Sequence, residues 1–138
     1  MGRIMAIDYG RVRSGLAVSD PQRIIATALA TVESHTLLPF LKRYCADEPV
    51  DIFVVGEARH LDGSPSESMQ LINPFIQQLS QAFPDKTTVR FDERFTSKIA
   101  FQSMIDSGLK KKDRRNKGII DRIAATIILQ DYMKTLNP

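Results

Sequence analysis

Three places in this chain put a carboxylate where it could do chemistry. Asp8 closes the apolar run Arg3-Ile4-Met5-Ala6-Ile7 and is followed by Tyr9-Gly10. Asp92 and Glu93 follow Thr87-Thr88-Val89-Arg90-Phe91 and lead into Arg94-Phe95-Thr96-Ser97. Asp121 sits near the start of the last long apolar segment, between Ile119-Ile120 and Arg122-Ile123-Ala124-Ala125. An acid at the end of a buried strand is costly unless something pairs with it, commonly a metal ion or a phosphate held through one. Carboxylate oxygens suit hard cations such as Mg²⁺ or Mn²⁺. Two such ions, flanked and bridged by acids, can activate water and stabilise the leaving oxygen in phosphodiester hydrolysis. His35 and His60 lie far apart and match no zinc-ligand spacing.

Each acid also has an ordinary structural account. Asp8 before Tyr9-Gly10 can simply form a turn. Asp121, like Asp92 and Glu93, can be favoured by the positive end of a helix. Three acids at three element ends are harder to explain that way together, so the elements that would position them decide the matter.

Those elements alternate. Residues 3–9 read as a strand apolar on both faces, hence central in a sheet. Residues 14–19 and 24–32 read as further strands, and the short links predict an antiparallel meander. Residues 36–47 carry Leu37, Leu38, Phe40, Leu41, Tyr44 and Cys45 at helical spacing, with Pro39 in the first turn. His35 then falls at the helix entry. Residues 51–56 read as a buried fourth strand. Ser64-Pro65-Ser66-Glu67 is a helix start with a capping box, and that helix runs to about Phe83. Residues 87–92 read as a fifth strand. A helix over 96–107 stops at Gly108, and the last helix spans 118–136. Ala124 and Ala125 would let that helix lie close to the sheet and bring Asp121 to the strand ends. The order predicts an α/β layer fold with a five-stranded mixed sheet flanked by helices: an antiparallel meander, then parallel strands joined by helical crossovers. Such an order, with an acid closing the first strand, resembles that of the ribonuclease H-like fold.

Length and composition fit one domain over residues 1–138. The chain is long enough for a core of its own, 43% hydrophobic and 25% charged. No apolar run approaches membrane-spanning length, and a strand at residue 3 predicts no signal peptide. The one cysteine, Cys45, reads as core filler in a reducing compartment. Charge is uneven. The net charge is +3, yet residues 110–117 hold six basic and one acidic residue, leaving 13 basic and 15 acidic for the rest. Such a stretch suits contact with a phosphate backbone. From charge alone, a solvated loop is the simpler account.

The chain resembles the YqgF (RuvX) family of Holliday-junction-resolvase-like proteins, also described as pre-16S ribosomal RNA nucleases. The resemblance covers essentially the whole chain. It rests on Ile7-Asp8-Tyr9-Gly10 with Gly15-Leu16-Ala17-Val18, and on Val54-Val55-Gly56 with Asp62-Gly63. The most specific block is Asp92-Glu93-Arg94-Phe95-Thr96-Ser97; Asn116-Lys117-Gly118 then leads into Asp121 and Ala124-Ala125. It implies a ribonuclease H-like fold, a cytoplasmic bacterial setting and a Mg²⁺- or Mn²⁺-dependent nuclease that matures the 5′ end of 16S rRNA. By motif, Asp8, Glu93 and Asp121 become the catalytic, metal-binding acids. Arg11, Arg94, Lys98, Lys110, Lys111, Lys112, Arg114, Arg115 and Lys117 become the expected nucleic-acid contacts. The expected partners are precursor rRNA and the ribosomal small subunit, with branched DNA as an alternative substrate; the expected state is a monomer or weak homodimer. One departure concerns the metal site. Where the family usually has Leu-Pro after Val-Val-Gly, this chain has Glu57-Ala58, which makes Glu57 either a fourth candidate ligand or a harmless surface variant.

Two other classes stay open. A non-catalytic RNA-binding factor in ribosome assembly would keep the acids as structural groups. The first hairpin is also similar to the phosphate-binding hairpin of actin-like ATPases, but those use two such domains and this chain has room for one.

Overall fold

Ile4, Met5, Ala6 and Ile7 have no solvent exposure, because β1 (Arg3–Asp8) has a strand on either side and a helical layer over each face. The computed structural model describes residues 2–57, 69–92 and 117–136. β1 pairs antiparallel with β2 (Arg13–Ser19), which pairs antiparallel with β3 (Ala26–Glu33). On its other side β1 pairs parallel with β4 (Val50–Glu57), which pairs parallel with β5 (Thr87–Asp92). The sheet order is β3-β2-β1-β4-β5. This is the mixed, ribonuclease H-like arrangement expected from the element order.

Side-chain alternation gives the sheet two unlike faces. On one, Met5, Ile7, Leu16, Val18, Phe53 and Val55 pack against α1 (Leu37–Asp47) and α2 (Met69–Ala82). Leu37, Leu41, Ile72, Phe75, Ile76 and Leu79 are the buried helical partners. On the other, Ile4, Ala6, Ala17 and Val54 meet Ala125, Ile128, Leu129 and Met133 of α3 (Lys117–Leu136). Small residues dominate the strand side of that second interface, so α3 lies close over β1, β2 and β3.

The predicted strands and the last helix stand within one or two residues of their expected limits, and β5 spans 87–92 as expected. The largest shift is in β3, which begins at Ala26 instead of residue 24. Asp20 causes it. Its Oδ1 accepts the backbone N–H groups of both Ile24 and Ile25 at 2.7 Å, and Arg23 adopts a left-handed φ of 60°. Ile24 and Ile25 are therefore spent on the turn and stand 68% and 63% exposed. A short 3-10 turn at Ser34–Thr36 leads into α1, and His35 sits in it, against Glu33. Cys45 is half-buried, and burial pushes its thiol pKa up, as a packing residue requires. The expected helix start at Ser64 and the expected helix over 96–107 lie outside the described residues.

Candidate active site at the strand ends

β1, β4 and β5 run parallel and finish at one edge of the sheet, so their last residues, Asp8, Glu57 and Asp92, are brought to a common rim. Ligand sites of open α/β sheets form at such carboxyl ends. Which acids can act together depends on the face each one takes.

Asp8 continues the series Ile4, Ala6, and so belongs to the α3 face. Its register partner is Gly15. At Gly15 α3 presses close on the sheet: a Cβ there would overlap the Asp121 carbonyl oxygen. Only glycine permits that approach, and it sets Asp121 directly against the strand residue opposite Asp8. A second tie holds the first turn of α3, since Thr31 Oγ1 donates to the Gly118 carbonyl at 2.5 Å. Thr31 is the β3 partner of Gly15, so both ties fall at one level of the sheet. Arg13, two residues before Gly15, shares this face, and its Nε donates to Asp121 Oδ2 at 2.5 Å. Arg11 lies in the exposed turn between β1 and β2.

Glu57 takes the opposite face. The pairing of Ile7 with Val55 aligns Glu57 with Tyr9, whose ring stacks on Phe75 of α2 at 4.3 Å. Glu57 is 7% exposed, and its Oε2 is 3.2 Å from Arg90 Nη1. The same Arg90 nitrogen donates to Asn73 Oδ1 of α2 at 2.6 Å. A nearly buried carboxylate needs such a cationic partner. Asp92 is the register partner of Glu57 and follows Phe91, whose ring meets Tyr132 of α3 edge-on. Asp92 thus shares the face of Glu57. Glu93, the next residue in the chain, lies outside the described residues, as do Arg94, Lys98, Lys110, Lys111, Lys112, Arg114 and Arg115, and so does the side chain of Lys117.

The structure therefore places Asp8 and Asp121 on one face of the sheet and Glu57 on the other. The loop after Asp8 is held from behind. Buried Ser14 shares a 2.8 Å hydrogen bond with Ser34, and Ser34 Oγ donates to the Gly10 carbonyl at 2.5 Å. Sequence reasoning passed over Arg13, Thr31 and Ser34. The signal for Arg13 was the alternation Arg13, Gly15, Ala17, which places it on the face of Asp8.

This order of strands and carboxylates has counterparts of known family. The family model described as RuvX, Holliday junction resolvase, matches residues 2–135. The chain belongs to this family. Among curated proteins it is 54% identical to one from Flavobacterium johnsoniae over 135 residues, covering 98% of each chain. It is 50% identical to one from Flavobacterium psychrophilum over 133 residues, 96% of this chain and 97% of the relative. A relative from Phocaeicola vulgatus is 50% identical over 135 residues, 98% of this chain and 97% of its own. All three carry the name "Putative pre-16S rRNA nuclease".

The donor set fits a hard divalent cation. Asp8 and Asp121 offer carboxylate oxygens from one face, and the Arg13 contact uses one Asp121 oxygen. Among the described residues no group of three His, Cys, Asp or Glu side chains forms a complete cation site.

Proposed function

We propose that this chain is a Mg²⁺- or Mn²⁺-dependent nuclease that hydrolyses phosphodiester bonds at the immature 5′ end of 16S rRNA. The observation that supports the reading is the seat of the first turn of α3 on Gly15, the register partner of Asp8, which puts Asp121 on the face of Asp8 at the carboxyl ends of the parallel strands. The shared name of the relatives supports the substrate. Asp8, Glu93 and Asp121 are the ligands in this reading. A divalent ion held there would supply activation of water and stabilisation of the leaving oxygen. The chain's own part is geometric: β1 fixes Asp8, and the seat of α3 on β2 and β3 fixes Asp121. Arg11, Arg94, Lys98 and the basic residues from Lys110 to Lys117 draw in the RNA backbone, a salt-sensitive and largely sequence-blind attraction. The setting is the bacterial cytoplasm, alongside the small ribosomal subunit. Among the described residues no helix is long and apolar enough to cross a membrane.

The family description favours one second reading, a junction resolvase. That activity cuts two strands symmetrically and calls for a two-fold dimer. The test gives purified protein a precursor rRNA fragment and a synthetic four-way junction in the same metal buffer. Metal-dependent cleavage of the RNA is expected. Paired symmetric nicks in the junction with intact RNA would transfer the assignment to a resolvase. Binding of RNA without cleavage in either metal would leave a non-catalytic assembly factor.

A further inference from the structure

The contact between Arg13 and Asp121 looks at first like an ordinary ion pair, but Arg13 makes it differently from Arg3, Arg23 and Arg90 among the described residues. Arg3 spends Nε and both terminal amino groups on Glu48 and the Ser19 carbonyl. Arg23 uses Nε on the Gly2 carbonyl and a terminal group on Asp51. Arg90 uses a terminal group on Glu57 and Asn73. Arg13 is held by Nε alone. Its two terminal amino groups, four N–H donors in a planar fork, have no protein acceptor among the described residues. The side chain is 37% exposed, so those donors are reachable from solvent.

Its position gives this a meaning. Arg13 shares the sheet face of Asp8 and Gly15 and is anchored to the acid that faces them. A guanidinium fixed at Nε keeps its outer edge in a set orientation, and that edge matches two oxygens of a phosphate. An arginine meant only to neutralise Asp121 would be expected to turn the outer fork onto it instead.

We propose that Arg13 is a substrate-binding residue of this site, anchored by Asp121 and offering its terminal amino groups to a phosphodiester of the RNA. This rests on the reading of the strand ends as a nuclease site. Asp121 then has two tasks, presenting one oxygen to the cation and holding Arg13 with the other. The arrangement couples the ligand and the phosphate contact through a single carboxylate.

The experiment measures binding of a single-stranded RNA oligonucleotide in EDTA, where metal-dependent cleavage cannot intervene, across a range of salt. Arg13→Gln and Arg13→Lys are compared with the unaltered protein, alongside thermal melting and direct Mn²⁺ titration. Loss of one phosphate contact should weaken RNA binding about tenfold. It should reduce the slope of log affinity against log salt by about 0.7. Arg13→Lys should keep the slope, because the charge stays. It should still lower kcat, because an ammonium lacks the fork. Mn²⁺ affinity should change far less than RNA affinity. An unchanged salt slope in Arg13→Gln, with Mn²⁺ affinity lost, would overturn the proposal and leave Arg13 as an orienting partner of Asp121. If Arg13→Gln fails to fold, an Arg13→Lys protein indistinguishable from the original in kcat would overturn it equally. A protein that never cleaves RNA but shows the Arg13-dependent slope would refute the nuclease reading and retain this contact.

Discussion

At the rim where β1, β4 and β5 end, the two faces of the sheet treat their polar groups in opposite ways. Behind the rim, on the face of α1 and α2, polar groups are locked to one another. Glu57 meets Arg90, Arg90 meets Asn73, and Ser14, Ser34 and Gly10 form a closed chain of bonds, with Tyr9 stacked on Phe75 beside them. On the α3 face, Asp8, Arg13 and Asp121 gather with donor capacity left over on Arg13. A polar cluster that satisfies itself stabilises a fold; one that keeps capacity in reserve is suited to an outside partner. The difference puts two acids that are neighbours in the sheet, Asp8 and Glu57, in unlike surroundings on opposite faces.

The strongest way to break that contrast is Asp8→Asn. Removing one ligand charge should lower metal-dependent cleavage by about a hundredfold or more, the loss of several kcal/mol of charge stabilisation, with the melting temperature nearly unchanged. Activity equal to the unaltered protein in Mg²⁺ and Mn²⁺ would dissolve the distinction between the faces.

Gly15→Ala tests the contact that assembles the open face. The added methyl meets the Asp121 carbonyl, so α3 must move off β2. We expect a stability loss of roughly 1–3 kcal/mol, the usual cost of overpacking. Cleavage should fall further than the fraction unfolded accounts for, because Asp121 is displaced even in folded molecules. Thermal melting and cleavage on the same preparation separate the two losses.

Glu57→Gln should invert the pattern. Weakening its bond to Arg90 should cost about 1–2 kcal/mol of stability, while cleavage by the folded protein stays within roughly threefold. A cleavage loss matching that of Asp8→Asn, without loss of stability, would return Glu57 to the list of metal ligands. Glu93→Gln run beside it should follow Asp8.

The smallest effect belongs far from the rim, at the β2–β3 turn. The Ile25 N–H holds the Asp20 carboxyl below its ordinary value of 3.8 against the opposing effect of desolvation, aided by the N–H groups of Ile24, Asp20 itself and Gln22. A lowered folded pKa favours the charged form in the folded state. Its stabilisation is fully present above pH 3.8 and fades as pH drops toward the lower folded value. Asp20→Asn should therefore lower the melting temperature slightly at neutral pH and flatten its decline in acid, with cleavage unaffected. A melting curve that keeps its acid dependence would show that other carboxylates govern it.

Much of this architecture was legible in the residues. The runs at 4–7 and 52–56 are apolar on both faces, the pattern of central strands, and Asp92 marks the end of β5. The β3 boundary was not legible, because Ile24 and Ile25 look like strand residues until the Asp20 carboxylate takes their N–H groups. The close approach of the last helix was foreseen, but from Ala124 and Ala125. Ala125 is indeed buried, while the decisive absence of a side chain lies across the interface at Gly15. Glu57 drew attention because it stands where the family has Leu-Pro, and counting alternation from Val55 already turns it to the far face. Arg13 was overlooked because its anchor lies 108 residues further along the chain.

That separation has a consequence in time. Asp8, Arg13 and Gly15 exist as soon as the first hairpin is made, but their counterpart rides on the last of the described elements. The α1 and α2 side of the core can gather around β1, β2 and β4 from residues 3–82. The α3 side must wait for residues beyond 117. A nascent chain therefore carries Asp8 without Asp121 until residues beyond 117 are made, and the α3 face of the sheet closes only when that helix docks.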